Sequence, residues 1–431
     1  MSATPSTDTS PTPWRRSFWS LFVVQFQGAF SDNVFKFMVV FLVSASVTDE
    51  VRDKFIPVIL ALFSLPFLLF SMAAGYLADR YPKPRVIVGT KVLEIVIMIA
   101  GTVGLYLQNT IMLTVVLFFM GVQSAFFGPS KYGILPEILP EDRLSWGNGF
   151  LGLGTFLAII MGGVLAGVLA DKLGYEHAWM AGVFLIILAV VGWLISRFIP
   201  LLAAANPQKV FRWNFLGELG TNIQKIRQDR ILKLALVGSV YFWFIAALFG
   251  EPTVLVYGED LLGLDGTKIS ILRAFLAIGI AIGCAIAGFL SGGRIEYALV
   301  PIGMFGMAVA AAFLGFPGLG FFAVGGALFV LGFFGGFYDI PINALLQHRP
   351  DAKDKGSVMA TNGWLTSAGI FAAAGVFWLL KSVMGLEPTT IFLIGAVVTA
   401  AFGVYAMTVV GSAFPAFFRR ILGPPPSEDS K

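Results

Sequence analysis

Charge is scarce in this chain. Only 13% of its 431 residues are Asp, Glu, Lys or Arg, against roughly 25% in a soluble globular protein, while 57% are hydrophobic and the mean hydropathy is +0.84. So few charges cannot cover a surface that faces water, so most of the exterior must be solvated by lipid. Cysteine is scarcer still. The single Cys284 excludes an intrachain disulfide and any cysteine metal cluster, and within its apolar run it is read as a small packing residue. No ATP-binding loop and no catalytic-triad context occurs, so neither an ATP-driven pump nor an enzyme is expected, and no cofactor or resident metal. The sequence pI of about 9.1 comes from basic loop residues and calls for no nucleic-acid partner.

What the chain has instead is apolar runs of roughly 20 residues, each long enough to cross about 30 Å of hydrocarbon as a helix. Twelve are predicted: 17–44, 54–80, 86–107, 110–134, 144–170, 177–199, 232–257, 267–291, 297–316, 318–346, 357–383 and 388–412. The expected fold is an all-α membrane protein of two six-helix bundles, 17–199 and 232–412. They lie between a tail (1–16), a linker (200–231) and a second tail (413–431). Most of the 29 basic residues fall on segments that share a side with both termini, which makes both ends cytoplasmic. The first run follows Trp14-Arg15-Arg16 but is too long for a signal peptide and lacks a small-residue cleavage site, so it is expected to be retained. In the linker, Phe211, Phe215, Leu219 and Ile223 recur about a turn apart, opposite Arg212, Lys225 and Arg227. That pattern predicts an amphipathic helix on the cytoplasmic surface.

The halves echo each other. "FFGPSKYGILPEILPEDRLSWGNGF" (126–150) aligns with "FFGGFYDIPINALLQHRPDAKDKGSVMATNGW" (333–364), and a parallel repeat of six-helix halves is a transporter architecture. After the second run, "GYLADRYPKPRVIVGTK" places Gly75, Asp79, Arg80 and Lys83 with the spacing of the signature loop of the major facilitator superfamily, G-x-x-x-D-R-x-G-R-[RK], and Arg85 one residue past its last base. Pro82 stands in place of the later glycine. An acid at a helix end beside clustered bases can pair with a neighbouring helix in one state and release it in another, so these residues are candidates for gating. The second-half counterpart, "GFLSGGRIE" (288–296), keeps Gly288 and Arg294 but lacks the acid.

A charge near mid-bilayer costs about 2.5–3.5 kcal/mol on insertion scales, so each one asks for a role. Counting from Arg16, Asp32 lies about 24 Å and Lys36 about 30 Å along the first helix, in its outer half. Gln25, Gly28, Asp32 and Lys36 form one polar or small stripe expected to face a water-filled cavity, the alternative being a local ion pair or a snorkelling lysine. Glu251 and Arg273 also fall in the outer half. Two acids and two bases there suit a zwitterionic headgroup, its phosphate at Lys36 or Arg273 and its amine at Asp32 or Glu251. Pro252 makes bending as good a role as binding at Glu251, and interface anchoring is as good a role for Arg273. On the inner side, Lys131 and Asp339 hold equivalent repeat positions and are expected to approach each other and close the cytoplasmic side.

Taken together, "AFSDN" (29–33), "GPSKYGILPEI" (128–138), Gly147-Asn148-Gly149, "VLAD" (168–171) and "PINALLQHR" (341–349) resemble the bacterial lysophospholipid transporter family of the major facilitator superfamily. "QGAFSDNVFKF" and "QSAFFGPSKYGILPEILPE" look closer still to the transporter domain fused ahead of acyltransferase and acyl-ACP synthetase domains. The resemblance implies movement of lysophospholipids such as lysophosphatidylethanolamine from the outer to the inner leaflet of the bacterial inner membrane. It also implies membrane-lipid contacts and a cytoplasmic acyltransferase or acyl-ACP synthetase partner; no acyltransferase domain is expected after residue 412. It assigns Asp32 and Lys131 to the family's polar membrane positions. One departure stands out: relatives suggest an arginine near position 250, where this chain has Gly250-Glu251. Whether Asp32 or Glu251 takes a proton, sodium or only the substrate amine stays open. So do two other functions, a transporter of small amphiphiles or drugs and a transport-inactive platform for an acyltransferase.

Overall fold

In the computed structural model, residues 14–46 and 49–422 are described, without the side chains of 44–60, 251 and 420–422. The Glu251 side chain as a candidate ligand, 1–13 of the first predicted tail and 423–431 of the second therefore lie outside the described residues. The first half comprises α1 (Trp14–Ser46), α2 (Asp49–Arg80), α3 (Lys83–Tyr106), α4 (Thr110–Ile138), α5 (Leu144–Leu173) and α6 (Trp179–Ser196). A linker helix, α7 (Phe215–Gln228), leads to α8 (Arg230–Leu248), the short α9 (Val254–Val256), α10 (Gly266–Leu290), α11 (Leu299–Leu314), α12 (Phe321–His348), α13 (Lys355–Trp378), α14 (Pro388–Val410) and α15 (Phe414–Leu422). Among the described residues, eleven helices are long and apolar enough to cross a membrane, and the shorter apolar α11 makes a twelfth crossing.

Polar residues placed at helix ends account for several boundaries. Asn109 accepts from the Met112 N–H at 2.9 Å at the start of α4, and Asp265 accepts from the Lys268 N–H at 2.9 Å at the start of α10. Asp229 caps α8 through the N–H groups of Ile231 and Leu232 and also holds Arg349 at 2.8 Å. Burial pushes the Asp229 carboxyl up, but those N–H groups and Arg349 outweigh it and hold it below the usual carboxylate range. The predicted span 232–257 is not one regular helix. Pro252 offers no N–H to the ladder, so the backbone widens to π-helix at Phe249–Thr253, and the Thr253 hydroxyl bonds the Leu248 carbonyl at 2.6 Å.

Each half has its own apolar core, around Val34, Phe35, Met38 and Leu117 in the first and around Leu234, Phe242, Leu328 and Leu345 in the second. The halves meet along two seams, α2 against α13 and α5 against α10, which the repeat makes equivalent. Glycine makes the second seam possible. A Cβ on Gly149 would lie 2.7 Å from the Cys284 carbonyl oxygen and 3.0 Å from the Gly288 Cα. Met72, Gly75, Gly149, Gly288 and Ala360 all sit toward the end of the molecule that carries α7, called here the linker side, with the distal side opposite. The apolar face of α7 is not laid on lipid: Leu219 is buried with Met72 of α2 and Ala360 of α13, and Phe215, Ile223 and Trp364 pack around them.

Candidate functional site

Midway through the first half, α1, α3 and α4 bury a polar network. Lys91 and Glu94, one turn apart on α3, pair at 2.7 Å, both almost fully buried. Gln27 of α1 completes the pair: its amide nitrogen donates to Glu94 Oε1 at 2.8 Å and its oxygen accepts from Lys91 Nζ at 2.9 Å. Gln123 of α4 donates to Glu94 Oε2 at 3.4 Å, and Gly28 leaves room for the Lys91 ammonium, which a Cβ there would meet at 2.9 Å. Beside this group, Ser124 of α4 donates to Asp32 Oδ2 at 2.7 Å. Glu94, Lys91, Lys36 and Lys131 are charged groups that interact with Asp32.

Asp32 lies close to the middle of its helix. Ser124 is the central residue of α4, Glu94 lies at the centre of α3, and Asp32 is two residues past the middle of α1. The site therefore lies at the mid-height of these three helices, with Asp32 just inside the outer half of α1 and Lys36 one turn further out. The predicted stripe on α1 also divides. Gln25 reaches across to Leu151 and Thr155 of α5, Gly28 faces Lys91, Asp32 faces Ser124, and Lys36 lies against the rings of Phe37 (4.7 Å) and Phe63 (5.2 Å).

Lys131 and Asp339 are not ion-paired within 4.0 Å. The Lys131 ammonium sits over the Tyr132 ring at 4.3 Å and is acted on by Asp32 and Lys91. Asp339 is buried on α12, where its charge reaches Tyr132 and Cys284 and its Oδ1 has no hydrogen-bond partner among the described residues. Lys131 thus belongs with Asp32 and Lys91 and not with Asp339.

The polar contacts that join the halves on the linker side are made by other residues. Asp79, fully buried at the end of α2, crosses to the start of α13 and accepts from Gly356 N–H at 2.7 Å, Ser357 N–H at 3.0 Å and the Ser357 hydroxyl at 2.7 Å. A carboxylate on the free N–H groups of a helix start is favoured by hydrogen bonding and by the helix dipole. The linker adds Lys209, whose ammonium pairs with Asp79 at 2.9 Å and also bonds the Ser357 hydroxyl, and Asn206, whose N–H donates to the Asp79 carbonyl at 2.8 Å. Arg80 donates to the Lys209 carbonyl at 2.8 Å. On the other seam the amides of Asn148 (α5) and Gln347 (α12) bond each other reciprocally, both at 2.8 Å, and Ser145 donates to the Arg294 carbonyl at 3.1 Å. The remaining signature-loop bases part company: Lys83 pairs with Glu137 at 2.5 Å inside the first half, and Arg85 lines a surface cavity with Arg16 and Arg197. Arg273 lies half-buried on α10, seven residues in from its distal start.

Lys91, Glu94, Gln27, Gln123, Lys209 and the Asn148–Gln347 pair escaped the sequence reading. An acid and a base three residues apart within the apolar run "GTKVLEIVIM" was the available signal for the first two. Lys209 gave none, since a basic linker residue looks like any other.

A family model for the Major Facilitator Superfamily matches residues 21–374. The lysophospholipid transporters LplT of Salmonella typhimurium and Salmonella newport are each 30% identical to the chain over 347 residues, 80% of this chain and 82% of theirs. Among solved structures, the E. coli fucose:proton symporter FucP superposes with a TM-score of 0.72 at 15% identity, covering 92% of this chain and 99% of that one. The human organic anion transporter MFSD10 gives 0.71 at 16%, covering 95% and 99%. At such identities these two are similar in fold alone.

Proposed function

The chain belongs to the major facilitator superfamily, and within it to the lysophospholipid transporter family, and we propose from that premise that it moves lysophospholipids across the bacterial inner membrane. Bias of the basic residues makes the linker side cytoplasmic, with both termini on it. The two halves rock about a site at mid-membrane, where carriers of this architecture hold their substrates. The observation that carries the proposal is Asp32, bonded to Ser124 at mid-membrane and flanked by Lys36 and Lys131.

A single-chain phospholipid keeps its tail in hydrocarbon but needs a polar path for its headgroup. With Lys91 and Glu94 satisfying each other, Asp32 is left between two ammonium groups. A phosphoethanolamine headgroup complements that pattern, its ammonium at Asp32 and its phosphate at Lys36 or Lys131. Glu251 and Arg273, on the distal part of the second half, serve as the first contacts for an incoming headgroup. The Asp79 latch, its linker partners and the Asn148–Gln347 pair keep the cytoplasmic side shut, so this conformation takes lipid from the outer leaflet. Rocking then breaks those contacts and releases the lipid inward, for re-acylation by an acyltransferase.

Vesicles reconstituted with the protein and labelled lysophosphatidylethanolamine test this. Outer-leaflet label should become protected at a rate that Asp32→Asn lowers at least tenfold. Dye efflux without lipid movement would point to a carrier of small amphiphiles, and no movement of either would sink the transport proposal.

A further inference from the structure

On the linker side, away from both seams, the start of α1, the start of α3 and the end of α6 enclose a cavity of about 530 Å³. Three guanidinium groups, Arg16, Arg85 and Arg197, line it, one from each element. Arg16 lies over the Phe198 ring at 5.1 Å and Arg197 over Trp193 at 5.4 Å, and among the described residues no carboxylate comes within 4.0 Å of any of the three. The rest of the lining is largely apolar, with Val88, Phe198 and Leu201. Phe198 and Leu201 are largely exposed, and Phe198 continues a row of exposed side chains down the outer face of α6: Ile187, Val191 and Leu194, at spacings of four and three residues.

We propose that this cavity is a second lipid site, separate from the transport path, that binds the phosphate of an anionic diacyl phospholipid in the leaflet on the linker side. Three arginines line the place a headgroup would take, each able to fork onto phosphate oxygens, and charge complementarity selects an anion. The exposed row on α6 supplies a track for acyl chains running from that headgroup into the bilayer, which a free phosphate would not use. No part of the argument involves Asp32, so the site stands or falls apart from the transport proposal. Bound there, the lipid ties α1, α3 and α6 together and holds Pro200 and Leu201 at the root of the linker. A few residues on, that linker carries Asn206 and Lys209 to the Asp79 latch.

Native mass spectrometry of the purified protein, titrated with phosphatidylglycerol, phosphatidylcholine or glycerol 3-phosphate, tests the site. Phosphatidylglycerol should bind more tightly than phosphatidylcholine, and glycerol 3-phosphate far more weakly than either. Each charge near an anionic surface contributes about fivefold in affinity, so Arg197→Gln alone should weaken phosphatidylglycerol binding about fivefold and the triple Arg16→Gln/Arg85→Gln/Arg197→Gln variant on the order of 100-fold. The single variants keep the test decisive if the triple variant fails to fold. Excess lysophosphatidylethanolamine should leave the phosphatidylglycerol bound. Displacement by it, equal binding of the two diacyl lipids, unchanged binding in the arginine variants, or binding of glycerol 3-phosphate as tight as phosphatidylglycerol would each overturn the proposal.

Discussion

Replacing Asp79 by Asn should open the linker side, and the chain carries its own reporter of that opening. The carboxylate of Asp79 receives two backbone N–H groups and a hydroxyl from the start of α13 as well as the Lys209 ammonium. The amide keeps the shape and one acceptor oxygen but loses the charge, and leaves Lys209 with only its longer pairing to Glu218, at 3.5 Å. Removing one member of a buried charged set costs about 3–5 kcal/mol. Because those bonds exist only while α2 and α13 are together, the cost falls on the closed state. Taking about 3 kcal/mol, the ratio of open to closed molecules rises on the order of 100-fold. Cys284, the only cysteine, is fully buried on the other seam, its carbonyl against Gly149 and its sulfur beneath Gly152 of α5. If the halves rock as rigid bodies, both seams part together, and alkylation of Cys284 by a maleimide proceeds at a rate set by the open population. Asp79→Asn should therefore be labelled up to about 100-fold faster than the parent, read by intact mass against time. Asp171→Asn, an exposed acid on the distal side, should label at the parental rate. Parental labelling of Asp79→Asn in a protein of unchanged melting temperature would refute rigid-body coupling of the seams.

Other consequences can be checked more briefly. Glu94→Gln should lower the melting temperature by stranding Lys91, at a cost of about 3–5 kcal/mol, whereas Lys91→Met/Glu94→Leu should cost less than either single change; additive losses in the melting curves would show that the pair is not coupled. Asn148→Ala and Gln347→Ala should each free the closed state by about 1–3 kcal/mol, and the double variant should label Cys284 no faster than the better single, which a double-mutant cycle on labelling rates would detect. Gly149→Val should hold α5 off α10 and raise labelling without touching any polar contact; unchanged labelling would mean the seam tolerates the added bulk. The depressed Asp229 carboxyl contributes stability that is present above its unfolded pKa and lost as pH falls through its lower folded value. The Asp229→Asn variant should therefore melt lower than the parent at neutral pH, and the gap should close in acid.

The twelve helices and the repeat are legible in the sequence because their signals are local or repeated: runs of apolar residues, basic loops, two segments that align. Charge depth was harder. Asp32 stands out as an anomaly, but its depth depends on where along a helix of 33 residues the hydrocarbon begins, when about 20 residues suffice to cross it. The partners were hardest of all. Nothing within α1 says that Asp32 meets Ser124, 92 residues on, or that Gln27 clasps Lys91 and Glu94. Equivalent positions in a repeat suggested a Lys131–Asp339 pair, yet repeat symmetry relates two sites without requiring their side chains to meet. Lys131 instead lies over the Phe127 and Tyr132 rings and interacts with Asp32.

The two seams show how one repeat came to be used unequally. In each, the loop ending one helix meets the start of a helix from the other half: residues 75–85 against α13, and 288–296 against α5. At the first, Asp79 binds the helix start through three donors and the linker lysine; at the second, the loop lacks the acid and Ser145 reaches only a backbone carbonyl. Closure along the second seam rests on close glycine contact and on an amide pair that bears no charge. Neutral amides contribute about half of what a charge-assisted pair does. The first seam therefore carries most of the polar free energy that holds the linker side shut, and it is the seam that α7 covers and Lys209 completes. A ligand or modification acting on the linker would bear first on that latch, while the second seam would part with little polar resistance once the latch is released.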